Sequence, residues 1–149
     1  MKALFLIPIV LLLAVAAHAQ SPVVVADSST SALGLGGTAQ IGYAFAKGDL
    51  VTIEATASKQ LDRLMIFRFP DEMIGRIKLT RKPKYTFTMS EEGIVVFRFI
   101  SDRDGSNNIS YKVTRTPASA EMQQYNTKVT WLTPTSHGGQ MIPKRVEGD

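Results

Sequence analysis

The sequence predicts an all-β fold, an antiparallel β-sandwich of eight or nine strands. Apolar side chains recur at every second residue in most segments, which is the period of a strand with one buried face. Turn residues such as Asp-Gly and Pro-Asp separate these segments at short intervals. No window of about a dozen residues carries the apolar stripe of a helix. Short strands punctuated by turns are typical of a sandwich or a barrel, and we expect the sandwich.

Residues 1–19 are predicted to be a signal peptide that takes no part in the fold. Lys2 provides a positive start, residues 3–17 are almost wholly apolar, and Ala17 and Ala19 place small residues where a signal peptidase cleaves. An apolar run of about 15 residues is too short for a bilayer, which takes roughly 20. We therefore expect a secreted or periplasmic protein with no transmembrane segment after cleavage.

The chain has 149 residues and no cysteine. This excludes thiol catalysis, thiolate metal sites and disulfides, so packing alone must hold a secreted domain together, a situation more typical of bacteria than of animals. Lys2 leaves with the signal peptide, which reduces the 17 Lys and Arg residues to 16, against 13 Asp and Glu. The resulting net charge near +3 permits contact with anionic surfaces. It lacks the strongly basic footprint of a nucleic-acid-binding protein, so we expect no nucleic-acid partner.

The first strands after the signal peptide have weak patterns. Residues 20–39 are small and glycine-rich and are expected to be a flexible lead-in with a short strand candidate at 23–26. Another candidate covers 40–46. The segment 51–57 alternates clearly, with Val51 and every second residue after it facing the core.

Two segments, 64–69 and 94–100, are apolar on both faces. Val95, Phe97 and Phe99 share one face of the second segment, and Ile94, Val96 and Ile100 on the other face are apolar as well. A strand that is covered on both sides lies inside its sheet, so the sequence predicts central strands here.

Three further segments, 76–80, 85–89 and 109–113, alternate simply. Ile77 and Leu79 are expected to face inward, because charged residues occupy the intervening positions. The tyrosines that fall on inward positions, and are predicted to lie in the core, are Tyr43, Tyr85 and Tyr111.

The C-terminal part is less regular. Residues 117–132 are predicted to be a connector with a possible final strand, and residues 133–149, which hold two prolines and three glycines, a disordered tail. Trp131 shares a face with Val129, which favours a place in the core. An exposed Trp131 would instead indicate stacking on a sugar.

The order of motifs within residues 48–115 follows a known layout. KGDLVTIEATA precedes DRLMIFRFPDEMIGRIK, and YTFTMSEEGIVVFRFISD precedes NNISYKVTR. This succession resembles a GOLD domain of secretory-pathway proteins, and the bacterial pre-peptidase C-terminal domains are similar. The resemblance implies a jelly-roll-like sandwich over residues 40–116 and a non-catalytic binding or assembly role. The animal family's paired cysteines, coiled coil and membrane helix have no counterparts here, so its cargo-receptor role is not implied.

Three oxygen-bearing residues near residue 105 are weak candidates for a metal site: Asp102, Asp104 and Asn107. An EF-hand calcium loop needs a glycine at its sixth position and a glutamate at its twelfth. Counted from Asp102, the glycine is fourth and the twelfth residue is Val113. Asp-Gly and Asn-Asn also suit a tight reversal, so the sequence favours the tip of a β-hairpin and no bound metal.

No set of residues in the sequence indicates catalysis. The only histidine after residue 19 is His137, in the predicted tail, where nothing would hold it as a general base. The paired carboxylates fall in turns, where acids usually stay solvated, and no glycine-rich phosphate loop precedes a helix. We expect no enzyme and no cofactor.

Five cations lie within nine residues and are predicted to form a basic ridge along one hairpin: Arg76, Lys78, Arg81, Lys82 and Lys84. Such a ridge either protects an exposed edge from aggregation or binds an anionic partner such as an acidic polysaccharide, lipopolysaccharide or a membrane surface. The sequence thus predicts a secreted, non-catalytic binding or assembly module at the cell envelope, with a protein or polysaccharide partner. A carbohydrate-binding accessory domain that uses Trp131 is the alternative, and a small hydrolase comes third.

Overall fold

The computed structural model describes residues 20–132 and 141–147. A single 3₁₀ helix, Ala120–Gln124, accompanies the strands in these residues, and no helix there is long and apolar enough to span a membrane. The predicted signal peptide lies outside the described residues. The strands are β1 (Val23–Leu33), β2 (Thr38–Phe45), β3 (Leu50–Ala57), β4 (Leu61–Arg68), β5 (Glu72–Thr80), β6 (Lys84–Thr88), β7 (Gly93–Ser101), β8 (Ser106–Thr116), β9 (Val129–Leu132) and β10 (Ile142–Arg145).

Eight of the strands form two antiparallel sheets, which confirms the predicted sandwich. Sheet A has the order β1-β8-β3-β6, and sheet B has the order β2-β7-β4-β5. From β1 to β8, every connection except that between β4 and β5 passes from one sheet to the other. Strands β9 and β10 form a separate two-stranded ribbon.

The core lies between the sheets and follows the predicted alternation. Val95, Phe97 and Phe99 of β7 face inward and are fully buried, and β7 lies between β2 and β4, as a central strand should. The predicted core tyrosines pack there too. Val96, on the opposite face of β7, is also buried, because the ribbon of β9 and β10 covers part of the outer face of sheet B.

Two segments predicted to lack order form strands. The lead-in contains the eleven-residue β1, which pairs with β8 from Val23 to Leu33, and the predicted tail contains β10, which pairs with β9. Ladder hydrogen bonds join backbone groups, so a partner strand can order a segment whose side chains are small and polar or interrupted by proline.

Two local predictions were wrong. Leu79 does not face inward: its side chain is 63% exposed, and its backbone has a φ of 47°, which breaks the alternation after Ile77. Residues 102–105 do not form the tip of a β-hairpin, because β7 and β8 belong to different sheets. Gly105, with a φ of 75°, provides the left-handed backbone of this inter-sheet turn.

Candidate functional site

The ribbon of β9 and β10 lies on the outer face of sheet B. A Cβ atom at Gly42 would stand 3.0 Å from the Trp131 ring, so the glycine in β2 provides the space for the indole. The backbone N–H of Ala44 donates to the carbonyl of Thr127 over 3.0 Å. Trp131 is therefore half-buried on the outside of the sandwich, and its predicted place in the core was wrong.

Glu92, in the connection between β6 and β7, joins the sandwich to β10 and to the chain that precedes the ribbon. It accepts a hydrogen bond from the Tyr125 hydroxyl over 2.6 Å and forms an ion pair with Arg145 of β10. The Arg145 guanidinium also lies 4.5 Å from the centre of the Tyr125 ring. The hydrogen bond from Tyr125, followed by that from Arg145, lowers the pKa of Glu92, so this carboxylate is charged at neutral pH.

A hollow of about 310 Å³ opens beside the Trp131 ring and is lined by Thr38, Gln40, Trp131 and Met141. Arg98 borders it: its Nη2 donates to Gln40 Oε1 over 3.3 Å, and its guanidinium lies 5.0 Å from the centre of the Phe67 ring. We call the surface formed by these four lining residues and Arg98 the Trp131 groove. It combines one aromatic wall with polar groups held in place, the composition of a ligand site.

Cations continue from this groove across the outer face of sheet B. The strand register places Gln40, Arg98, Met65 and Arg76 in one row across the four strands. The neighbouring row consists of Thr38, Ile100, Arg63 and Lys78. Three strand spacings separate the ends of a row, about 14 Å. Arg76 and Lys78 are exposed, so their charges face solvent on the same surface as the groove.

The structure does not bring the five residues of the predicted basic ridge together. Arg76 and Lys78 belong to sheet B, whereas Lys84 lies on β6 of sheet A and forms an ion pair with Glu54. Arg81 and Lys82 lie in the connection that crosses between the sheets, where Arg81 donates to the carbonyl of Ser58 over 2.7 Å. The ridge is divided because β5 and β6 are not a hairpin.

Two of the three predicted metal candidates, Asn107 and Asp102, make other side-chain contacts, and the third, Asp104, accepts a hydrogen bond from Lys59 Nζ at its backbone carbonyl. Asn107 is fully buried: its Oδ1 accepts from the backbone N–H of Lys59 over 3.0 Å, and its Nδ2 donates to the carbonyl of Lys59 over 3.2 Å. The Asp102 carboxylate is 3.8 Å from Arg103. The described residues hold no group of three or more His, Cys, Asp or Glu side chains that suits a metal ion.

We expect millimolar calcium to leave the melting temperature unchanged to within about 1 °C. A ligand that binds only the folded state raises stability as its concentration exceeds its dissociation constant, and nothing in this turn is arranged to bind the ion. The measurement is thermal melting followed by circular dichroism, with magnesium at the same ionic strength as the control. A rise with calcium alone would show that the turn holds the cation.

Sequence reasoning missed the polar half of the groove, Gln40 and Arg98, and the glycine that seats the indole. A glycine inside a strand is a signal of close approach, and Gly42 stands in the middle of the predicted strand 40–46. No sequence pattern indicates that the group which approaches Gly42 is Trp131, almost ninety residues further along the chain. His137 lies outside the described residues.

No family model matches the chain, and no curated protein matches it. Solved structures with a similar fold include a mitogen from Yersinia pseudotuberculosis, at a TM-score of 0.46 and 12% identity, covering 73% of this chain and 95% of that one. A family two carbohydrate esterase from Cellvibrio japonicus has a TM-score of 0.38 at 15% identity, with 66% of this chain and 32% of that chain covered. A CBM4 structure has a TM-score of 0.36 at 15% identity, with 68% of this chain and 81% of that chain covered. At these scores the likeness identifies neither a family nor a ligand.

Proposed function

We propose that this protein is a secreted, non-catalytic binding module of the cell envelope that holds a polysaccharide in the Trp131 groove. The observation that carries the proposal is the half-buried indole of Trp131, seated over Gly42 and lining a solvent-open hollow together with Gln40. The resemblance of residues 48–115 to a GOLD domain, which remains a prediction, implies the same kind of non-catalytic role.

The groove suits one face of a sugar ring. The C–H bonds on one side of a pyranose pack against an indole, and the hydroxyl groups at the ring's edge need donors and acceptors at fixed positions. Gln40 supplies both a donor and an acceptor. Arg98 supplies donors from a guanidinium that Gln40 and Phe67 already hold in position, which reduces the entropy lost on binding.

The charge of the surrounding face favours an acidic polysaccharide. Arg63, Arg76, Lys78 and Arg98 all lie on the outer face of sheet B, and among the described residues only Asp62 forms an ion pair with any of them. A chain that stacks on Trp131 and runs across the sheet would bring carboxylate or sulfate groups next to guanidinium groups, which bind such anions with two parallel hydrogen bonds.

A non-catalytic role accords with the chemistry near the groove. The side chains of the Trp131 groove carry an indole, an amide, a hydroxyl, a thioether and a guanidinium group. None of these is a general base near neutral pH, and no carboxylate lines the hollow within the described residues. The groove can bind and orient a sugar without offering a group to cleave it.

Replacing the indole tests the proposal directly. We expect Trp131→Ala to weaken binding to an acidic polysaccharide such as polygalacturonate by about tenfold or more, by analogy with the loss of an aromatic stacking partner elsewhere. Affinity electrophoresis in gels with and without the polysaccharide measures the effect. Leu132→Ala is the matched control, because Leu132 is exposed on the opposite face of the same strand, and its retardation should stay within about twofold of the original.

Retardation should also fall steeply between low and half-molar salt, because the cations of sheet B are exposed and therefore screened. Equal retardation of the Trp131→Ala and Leu132→Ala variants would contradict a role for the groove. Retardation in gels that contain a neutral glucan, with none in polygalacturonate, would keep the groove but contradict the acidic ligand.

A further inference from the structure

One end of the sandwich is formed by four connections that contact one another in a row. Gly34 N–H donates to the carbonyl of Gly105 over 3.0 Å, and Lys59 Nζ donates to the carbonyl of Asp104 over 2.7 Å. Arg81 then bonds to the carbonyl of Ser58. We call this surface the loop end; its connections are residues 34–37, 102–105, 58–60 and 81–83.

The two ends of the sandwich carry opposite charge. The loop end holds four cations, Lys59, Arg81, Lys82 and Arg103, against two aspartates, a net charge of +2. The opposite end consists of the connections 46–49, 69–71 and 89–92. These hold one lysine and four carboxylates, but Asp49 is paired with the buried Arg115 and Glu92 with Arg145, which leaves a net charge of −1. A negatively charged plane would therefore attract the loop end and repel the other.

The charges of the loop end are available to an anionic partner. Lys59 and Arg81 donate to backbone carbonyls, which fix their positions but do not neutralise them. Within the described residues, no carboxylate lies within 4.0 Å of Lys59, Arg81 or Lys82. A shallow hollow of about 570 Å³ lies between them, lined by Ser58, Lys59, Gln60, Arg81, Arg103 and Asp104.

Three leucines project from the same end. Leu33, Leu35 and Leu79 are 77%, 69% and 63% exposed, the largest values among the large apolar side chains of the described residues. Leu33 and Leu79 lie within two residues of a loop-end connection, and Leu35 lies in one. Leu79 has a left-handed backbone, with a φ of 47°, at a cost of roughly 1 kcal/mol for a residue with a side chain. Backbone strain of this kind clusters at functional sites, so we infer that the exposed Leu79 side chain belongs to one.

We propose that the loop end docks on a membrane whose surface carries anionic phospholipids. Leu33, Leu35 and Leu79 enter the boundary between headgroups and acyl chains, and Lys59, Arg81, Lys82 and Arg103 lie against the phosphates. Apolar tips beside cations are the combination that interfacial binding requires, since neither a soluble anion nor a polysaccharide makes use of exposed leucines. This docking does not depend on the proposed polysaccharide site, which lies on the face of sheet B.

Vesicle co-sedimentation of the purified chain tests the docking. We expect binding to vesicles of equal parts phosphatidylglycerol and phosphatidylcholine, and little to phosphatidylcholine alone. The double variant Lys82→Ala/Arg103→Ala should bind the anionic vesicles more than tenfold more weakly, since each basic residue near such a surface contributes about fivefold. Lys128→Ala/Lys144→Ala, which changes the net charge equally on the exposed ribbon, is the control and should stay within about twofold.

A second experiment tests whether the leucines enter the membrane. The sequence has no cysteine, so Leu35→Cys provides a unique site for an environment-sensitive fluorophore, and Lys47→Cys labels the opposite end. Emission from the label at position 35 should shift to the blue on anionic vesicles, and that at position 47 should not.

Three results would overturn the docking. Equal losses for the two double variants would indicate an effect of net charge alone. A label at position 35 that stays in water while the protein sediments would remove the leucines from the interaction. Release from vesicles by millimolar inorganic phosphate at constant ionic strength would mean that the hollow holds a free anion instead of a membrane surface.

Discussion

Replacing Arg115 by leucine should lower the free energy of unfolding by about 3–5 kcal/mol, the usual cost of leaving one member of a buried ion pair without its partner. The side chains of Arg115 and Asp49 are 1% and 0% exposed, and Arg115 Nη1 is 3.0 Å from Asp49 Oδ2. Without the guanidinium, the Asp49 carboxylate would keep one hydrogen bond, from the backbone N–H of Ala46, and its charge would stay buried without an ionic partner.

The arginine also holds the chain after β8. Its Nη2 donates to the carbonyls of Met122 and Gln123 in the 3₁₀ helix, the latter over 2.9 Å, and its guanidinium lies 5.6 Å from the centre of the Tyr125 ring. The helix precedes the ribbon that carries Trp131. Loss of Arg115 should therefore disturb the Trp131 groove as well as global stability.

Urea unfolding followed by far-ultraviolet circular dichroism measures the loss. Lys84→Ala is the control, because its ion pair with Glu54 is solvent-exposed, and such pairs contribute about 0–1 kcal/mol. A double replacement of Asp49 and Arg115 by leucine should cost less than the sum of the single replacements, since it leaves no unpaired charge. A loss below about 1 kcal/mol for Arg115→Leu would contradict the role assigned to the pair.

Phe97→Ala should also cost about 3–5 kcal/mol, because it opens a cavity at the centre of the sandwich. Phe97 is 0% exposed on the inner face of β7, and the centre of its ring lies 6.4 Å from that of Phe87. The neighbouring strands β2 and β4 are tied to β7 by backbone ladders, so they cannot move together to fill the space.

Two variants calibrate this second loss in the same urea experiment. Phe97→Leu keeps most of the volume and should cost considerably less than Phe97→Ala. Leu50→Ala removes a half-exposed side chain of β3 and should cost about 1 kcal/mol or less. Equal costs for Phe97→Ala and Leu50→Ala would mean that β7 is not the centre of the core.

Sequence reasoning located the core strands well because burial acts on side chains. Phe97 and Phe99 had to share a face, and the apolar residues on the other face of the same strand, Ile94, Val96 and Ile100, required a second cover. The ribbon provides this cover, and its strand β10 lies in the segment that the sequence predicts to be a disordered tail. A four-residue strand that contains Pro143 has little local preference for order, and its pairing with Trp131 and Val129 supplies the order.

The candidate sites were predicted less completely because they combine distant segments. Arg76 and Lys78 were identified as outward-facing cations, but their neighbours Arg63 and Arg98 come from β4 and β7 and fall in the same rows only through the register. Of the loop end, the sequence indicated Arg81 and Lys82 as part of a basic ridge, but neither the leucines nor the meeting of the four connections. These connections stand far apart in the sequence and meet only because successive strands alternate between the two sheets.

By itself, the sequence determined that two sheets face each other and most of the side chains that fill the space between them, since a period of two indicates the buried face of a strand wherever the alternation holds, as it does not at Leu79. Only the tertiary structure decided the order of the strands, and with it the position of Trp131 over Gly42 and the meeting of three leucines with four cations at one end. Backbone hydrogen bonds join strands in much the same way whatever their side chains, so the choice of partner rests on the packing of the whole chain.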